Sequence, residues 1–141
     1  MIVYLDTSAW AKLYMNEPGR ENVLNAVHES DNAAICVIGY TELHSAFGRR
    51  LRQREITQEE FQIAIDAMER DWPRFIKIQA TEELCKAAAG LTQHGLRSLD
   101  ALHLAAALEI QIQVGNVVFL SFDIQLMRVA GRFIPLREGI S

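Results

Sequence analysis

The sequence predicts an α/β domain in which helices cover both faces of a mostly parallel sheet. Three observations lead there. Short, almost continuously apolar runs rich in β-formers recur along the chain, as in strands buried on both faces. Helical patterns separate them, and strand–helix alternation is the signature of a parallel sheet with helical cover, a three-layer α/β/α arrangement. No repeat, low-complexity tract or linker interrupts the 141 residues, so one domain over 1–141 is expected.

In chain order, Ile2–Leu5 is the first strand. Trp10–Met15 reads as a short helix stopped by Pro18-Gly19, and Glu21–His28 as the next. Ala34–Ile38 is the second strand, after which Leu43, Ala46, Phe47 and Leu51 make an apolar helical stripe. A cleaner stripe of Phe61, Ile65, Met68 and Trp72 is opened by the capping box Thr57-Gln58-Glu59-Glu60 and stopped near Pro73. Phe75–Ile78 is the third strand and Thr81–Thr92 a helix ending near Gly95. Ser98–Ile112 is apolar nearly all round, as a central buried helix is. Val117–Phe122 is the fourth strand, Asp123–Ala130 the last helix with Gly131 as its stop, and Phe133–Leu136 a weaker fifth strand.

Half the residues are hydrophobic and 23% are charged, an ordinary globular composition that argues against disorder. A formal net charge of −4 gives no direct support to nucleic-acid binding, whose usual footprint is a basic patch. It suits an acidic cluster that holds a cation, or a basic protein partner. Cys36 and Cys85 lie far apart in apolar stretches without a CxxC, and read as reduced core thiols of a cytoplasmic protein. The opening apolar run lacks a basic region and stops at Asp6, so no signal peptide is expected, and no stretch is long enough to span a bilayer.

Ligands of open α/β sheets bind outside the carboxyl ends of the strands. Asp6 follows the first strand, Asp123 closes the fourth, Glu42 starts the helix after the second, and Asp100 lies in the first turn of the buried helix. Each has an ordinary explanation. Asp6 and Asp123 make good N-caps, Asp100 complements a helix dipole, and Glu42 can be a solvated charge. Together they are harder to dismiss, because an unpaired carboxylate on a buried helix is costly. Converging carboxylates repel one another, and a hard divalent cation such as Mg²⁺ or Mn²⁺ removes that problem while activating water and neutralising charge on a phosphodiester. Four acids can hold one ion or two.

The same residues carry a family resemblance. Met1–Ala9 (MIVYLDTSA) resembles the opening strand and first acid of PIN domains, and Tyr40-Thr41-Glu42-Leu43 their second acidic motif. Leu96–Ala105 (LRSLDALHLA) closely resembles the third, and Ser121–Leu126 (SFDIQL) the T/S-x-D motif near the end. The motifs occur in order across essentially the whole chain, and its size is most similar to that of VapC-type toxins of toxin–antitoxin pairs. The resemblance implies a Rossmann-like sheet, a Mg²⁺ or Mn²⁺ site and endonucleolytic cleavage of RNA. It makes Asp6, Glu42, Asp100 and Asp123 the catalytic and metal-holding acids. Thr7, Ser8 and Ser121 become hydroxyl donors that orient acids or phosphate, although turn and cap chemistry explains Thr7 and Ser8 about as well. It further implies a small protein antitoxin and a homodimer.

His103 lies one turn from Asp100 and invites a general-base role, but on so apolar a helix a hydrogen-bonded core histidine is the stronger reading. His28, His44 and His94 have no metal-ligand spacing. Arg49, Arg50, Arg52 and Arg54 form the only dense basic run, which can guide RNA phosphates or simply cap a solvated helix end. Lys12 and Arg20 are weaker candidates for the same task. Trp10, Leu13, Tyr14 and Val23 either fill the core or line a groove for an amphipathic inhibitor helix. Two other enzyme classes fit less well. A haloacid-dehalogenase-like phosphatase needs a second aspartate where Ser8 stands, and a receiver domain needs paired acids after the first strand. A binding module that has kept the fold would be expected to have lost acids.

Overall fold

Four parallel strands form one sheet in the computed structural model, which describes residues 1–138. Strand β1 (Ile2–Leu5) lies between β2 (Asn32–Cys36) and β4 (Val117–Leu120), and β3 (Ile76–Ile78) adds outside β2. The order is β3-β2-β1-β4. The chain therefore builds the sheet outward from β1 in one direction, then returns to the other side of β1. The topological switch point falls between β1 and β4.

The helices are α1 (Thr7–Ala11), α2 (Arg20–Glu29), α3 (Ile38–Arg52), α4 (Gln58–Asp71), α5 (Glu82–Leu91), α6 (Ser98–Val114) and α7 (Ile124–Ala130). Side chains alternate between the two faces of a strand, and the two cores record this. Val3 and Leu5 of β1, with Ala33 and Ile35 of β2, pack against Trp10, Val23, Leu43, Phe47 and Met68 from α1 to α4. Ile2 and Tyr4, with Ala34 and Cys36, pack against Leu84, Ala101, Leu104, Leu126 and Val129 from α5 to α7. Two-sided burial explains why the strands read as continuous apolar runs rather than alternating ones.

Helix α6 is the longest, and its direction matters for function. It ends at Val114, Gly115 turns the chain with φ +85, and β4 begins at Val117. The helix thus runs back against the strand direction, over roughly 25 Å at about 1.5 Å per residue. Its first turn, with Asp100, lies toward the carboxyl edge of the sheet.

Several boundaries differ from the sequence expectation. The first helix spans Thr7–Ala11 rather than Trp10–Met15, because the Asp6 carboxylate caps it at the Ala9 amide, 2.9 Å away. Helix α3 starts at Ile38, which the sequence places at the end of β2; a partly buried apolar residue satisfies either element, so hydrophobicity alone does not separate them. Glu42 consequently stands in the second turn of α3. Phe133–Leu136 is not a strand. Its segment makes one parallel bridge, Leu136 to Phe119, secured by Phe119 N–H to the Pro135 carbonyl and Arg137 N–H to the Phe119 carbonyl, both 2.9 Å. Cys85 lies exposed on α5, so only Cys36 is a core thiol. Among the described residues no helix is long and apolar enough to cross a membrane.

Candidate active site at the carboxyl edge of the sheet

The three residues after β1 form the corner on which the site is built. Asp6 is almost wholly buried, at 4% exposure. Its Oδ1 accepts from the Ser8 hydroxyl at 2.7 Å and from the Ala9 amide at 2.9 Å, and its Oδ2 accepts from the Ser121 hydroxyl at 2.6 Å. The Ser121 oxygen also accepts from the Asp123 amide at 3.0 Å, and the Ser8 oxygen from the Phe122 amide at 3.0 Å. These bonds tie the end of β1 to the end of β4 across the switch point. Asp123 caps α7, accepting from the Leu126 amide at 2.9 Å. The N-cap explanation of Asp6 and Asp123 is therefore correct as far as it goes; Ser121 also bridges the Asp6 carboxylate to the Asp123 amide.

Gly19 makes the outer wall of this loop possible. Its φ of +98 is a left-handed conformation, and a Cβ there would fall 2.6 Å from the Phe122 ring. Lys12 covers the same ring, with Nζ 4.9 Å from its centroid. Backbone and cation together hold the turn that carries Asp123.

Thr7 opens a second network. Its hydroxyl donates to Glu42 Oε1 at 2.7 Å, and Nε2 of His103 lies 2.7 Å from the same oxygen and 3.2 Å from the Thr7 oxygen. The other ring nitrogen, Nδ1, is 2.8 Å from the Tyr4 hydroxyl. His103 is thus a buried, hydrogen-bonded histidine, as the apolar helix suggests, yet one of its partners is an acid of the site. Tyr4 was not singled out by the sequence. The available signal was a hydroxyl inside a strand buried on both faces, which needs a partner.

Charge interactions join these networks to Asp100. Burial raises the Asp100 carboxyl and the charge of Asp123 raises it further; Arg97 opposes this more strongly than Asp6 adds to it, and His103 opposes it least. Arg97 is a distant and exposed partner, with Nε 3.9 Å from Oδ2. Burial also raises Asp6, opposed by His103, Ser121, Ala9 and Ser8. Glu42 goes the other way: burial pushes it up, but the hydrogen bond and charge of His103, with Thr7, bring it below the usual range. The structure therefore places all four sequence-chosen acids toward one edge of the sheet, with Asp123 and Asp6 close enough to act on the Asp100 carboxyl.

Among the described residues no group of three or more His, Cys, Asp or Glu side chains is arranged to hold a metal ion by itself. The donors present nevertheless suit a hard cation. Mg²⁺ takes oxygen ligands, keeps several waters and is commonly held by one or two carboxylates plus substrate phosphate rather than by a closed protein cage. A carboxylate raised by burial and by neighbouring acids, as Asp100 is, is an environment a cation relieves.

The basic run divides in two. Arg50 donates to Glu17 at 2.8 Å, and Lys12 reaches the same carboxylate at 3.3 Å. Arg49, Arg52 and Arg54 are exposed. Trp10 and Val23 are wholly buried and fill the core, which removes them from any inhibitor groove. Leu13 instead lines a cavity of about 410 Å³ with Leu24, Val27, Asp71 and Phe75, at the amino edge of β2 and β3 and away from the acids.

An α/β/α domain with hydroxyl-bridged acids at the switch point of its parallel sheet defines the class. Residues 3–132 match the PIN domain family, and the chain belongs to it. It is 33% identical over 117 residues to Ribonuclease VapC45 of Mycobacterium tuberculosis, covering 77% of this chain and 76% of that protein. The fold matches the crystal structure of FitAcB from Neisseria gonorrhoeae with a TM-score of 0.68 at 15% identity, over 99% of this chain and 98% of that one. It matches VapBC-1 from nontypeable Haemophilus influenzae with a TM-score of 0.65 at 19% identity, over the same shares.

Proposed function

We propose that this PIN-domain protein is a metal-dependent endoribonuclease, the toxin half of a toxin–antitoxin pair, acting in the cytoplasm. The observation that carries the reading is the meeting of Asp6, Asp100 and Asp123, whose mutual repulsion raises Asp100 beyond what burial alone does. The similarity to a VapC ribonuclease supports RNA as the substrate.

In this reading Asp6, Glu42, Asp100 and Asp123 hold Mg²⁺ or Mn²⁺. The cation, when bound, supplies Lewis-acid activation of water and neutralises charge building on the phosphodiester. The chain's own residues do the rest. Ser8 and Ser121 fix both oxygens of Asp6, so this buried acid keeps one orientation. Ser121 also holds the amide of Asp123 and sets the acid that follows β4 against the one that follows β1. Thr7 directs Glu42 from the same corner. Asp100, on the rigid first turn of α6, is the least tethered of the four and the best placed to follow substrate. A phosphorylated Asp6 is disfavoured, because Ser8, a hydroxyl donor to Asp6, stands where such a phosphatase needs its second aspartate.

The resemblance to VapC toxins extends the proposal to a homodimer restrained by a small antitoxin whose Arg or Lys could pair with the acidic cleft. The test is cleavage of a panel of cellular RNAs with Mg²⁺, Mn²⁺ or EDTA, with Asp6→Asn as control. We expect metal-dependent cuts that leave a 5′-phosphate on the downstream product. Full activity in EDTA, or a 2′,3′-cyclic phosphate product, would refute the mechanism.

A further inference from the structure

One buried polar chain is not used by the reading above. It runs from Tyr4 on β1, through His103 on α6, to Glu42 on α3, and so joins the sheet to helices on its two opposite faces. We infer that His103 is a positioning residue: anchored through Nδ1 by the Tyr4 hydroxyl, it presents Nε2–H to Glu42 and, together with Thr7, brackets Oε1 of that carboxylate. The inference rests on the nuclease reading and gives Glu42 an orienting partner within it.

The hydrogen-bond inventory sets the direction of each bond. A neutral imidazole has one N–H and one acceptor nitrogen. Glu42 Oε1 can only accept, so Nε2 carries the hydrogen, and Nδ1 must accept from Tyr4. Glu42 thus selects the ring tautomer, and the Tyr4 hydroxyl, able to donate, satisfies the nitrogen left without a hydrogen. Thr7 then donates to Glu42 at 2.7 Å while sharing the Nε2–H at 3.2 Å. Two donors from different elements on one oxygen leave Oε2 outside the bracket. The ring is 2% exposed and both nitrogens are engaged, which removes it as a general base acting on substrate. His103 follows Asp100 by three residues, one turn along α6, so a single helix carries an acid and the orienter of another.

The experiment compares His103→Leu, His103→Gln and Tyr4→Phe in steady-state cleavage and in NMR of the metal-free protein. His103→Leu should lower kcat roughly 10- to 100-fold with KM nearly unchanged, the range for partners standing behind ligands. Gln, which can place an amide N–H near Nε2, should restore part of that loss, and Tyr4→Phe should cost less than His103→Leu. In a Glu42→Ala background, His103→Leu should have no further effect, since residues acting through one another are non-additive. The ring ¹⁵N shifts should report Nε2–H, and the Glu42 carboxyl shift should move in His103→Leu. Additive losses, no recovery with Gln, an Nδ1–H ring or an unmoved Glu42 signal would each overturn the inference. Wild-type protein that cuts no RNA would instead sink the nuclease reading, and the NMR outcomes remain legible without activity.

Discussion

Asp6 and Glu42 flank the same corner of the chain, and burial pushes both carboxyls upward, yet they titrate in opposite directions. Asp6 accepts from two hydroxyls and an amide and stays raised. Glu42 accepts from one hydroxyl and an imidazole and is lowered. His103 opposes the cost of burial at both acids, but only at Glu42 does a direct hydrogen bond from the ring join that effect, and Asp6 is the more deeply buried. The site therefore has two unlike halves. In one half Glu42 is hydrogen-bonded to a buried imidazole, whereas Asp6, Asp100 and Asp123 meet hydroxyls, amides and one distant, exposed arginine.

The largest effect that can break this division is on catalysis. Asp6→Asn, Asp100→Asn or Asp123→Asn should lower kcat roughly a thousandfold or more, since a cation worth several kcal/mol would be lost at about 1.4 kcal/mol per tenfold. Glu42→Gln, on the half with an internal partner, should cost clearly less, roughly 10- to 100-fold. Equal losses at Glu42 and Asp100 in the same cleavage assay would show that the halves are not distinct.

Ser121 sharpens the comparison through stability. It donates to Asp6 at 2.6 Å and accepts from the Asp123 amide at 3.0 Å. Ser121→Ala leaves both groups short of a partner, at a cost of about 1–3 kcal/mol in denaturant unfolding. Thr7→Ala should cost less, because His103 still serves Glu42.

A third effect is smaller and depends on pH. Asp6 and Asp100 have raised carboxyls in the fold, so their contribution to the metal-free protein is fullest below the ordinary value of 3.8 and is lost as pH rises through the raised range. Glu42 is lowered, so its contribution is present above 4.5 and is lost as pH falls through its folded value. Near neutral pH, metal-free Asp100→Asn should thus melt slightly above wild type, by about 1–3 °C on the usual scaling. Added Mg²⁺ should raise the wild-type melting temperature and shrink or reverse that gap. A lower melting temperature for Asp100→Asn without metal would contradict the repulsion on which the division rests.

Much of this was legible in the sequence. Runs such as Ile2–Leu5 and Val117–Phe122 are apolar on both faces, which marks buried parallel strands although β4 stops at Leu120, and the acids beyond them inherit the carboxyl edge by topology. The capping box at Thr57 placed the start of α4 correctly. What was not legible depends on packing between distant elements. Ile38 reads as strand or helix until its neighbours are known. His103 is separated from Glu42 by 61 residues and from Tyr4 by 99, and no local pattern announces either bond. Cys85 and Cys36 sit in similar apolar surroundings in sequence, but only the register of α5 decides which one faces out.

The smallest effect concerns the basic run, which the structure divides much as it divides the acids. Arg50 already has a counter-charge in Glu17, shared with Lys12, and holding that carboxylate lowers it despite its partial burial. To bind phosphate Arg50 must first give up this pair. Arg49 and Arg52 lie on the same last turns of α3, in the favoured place for cations at a helix C-terminus, and are exposed. If RNA passes along this helix toward the acids, these two supply the phosphate contacts. Arg49→Gln with Arg52→Gln should then weaken RNA binding and reduce its log–log salt slope by about two units, near one per lost contact. Arg50→Gln should leave the slope nearly unchanged and instead loosen the Lys12–Glu17–Arg50 group, seen as a small fall in melting temperature. A slope that drops with Arg50→Gln and stays fixed in the Arg49/Arg52 double variant would reverse the assignment. The paired arginine would then be the one that exchanges its carboxylate for phosphate, with Glu17 holding its place in the free protein.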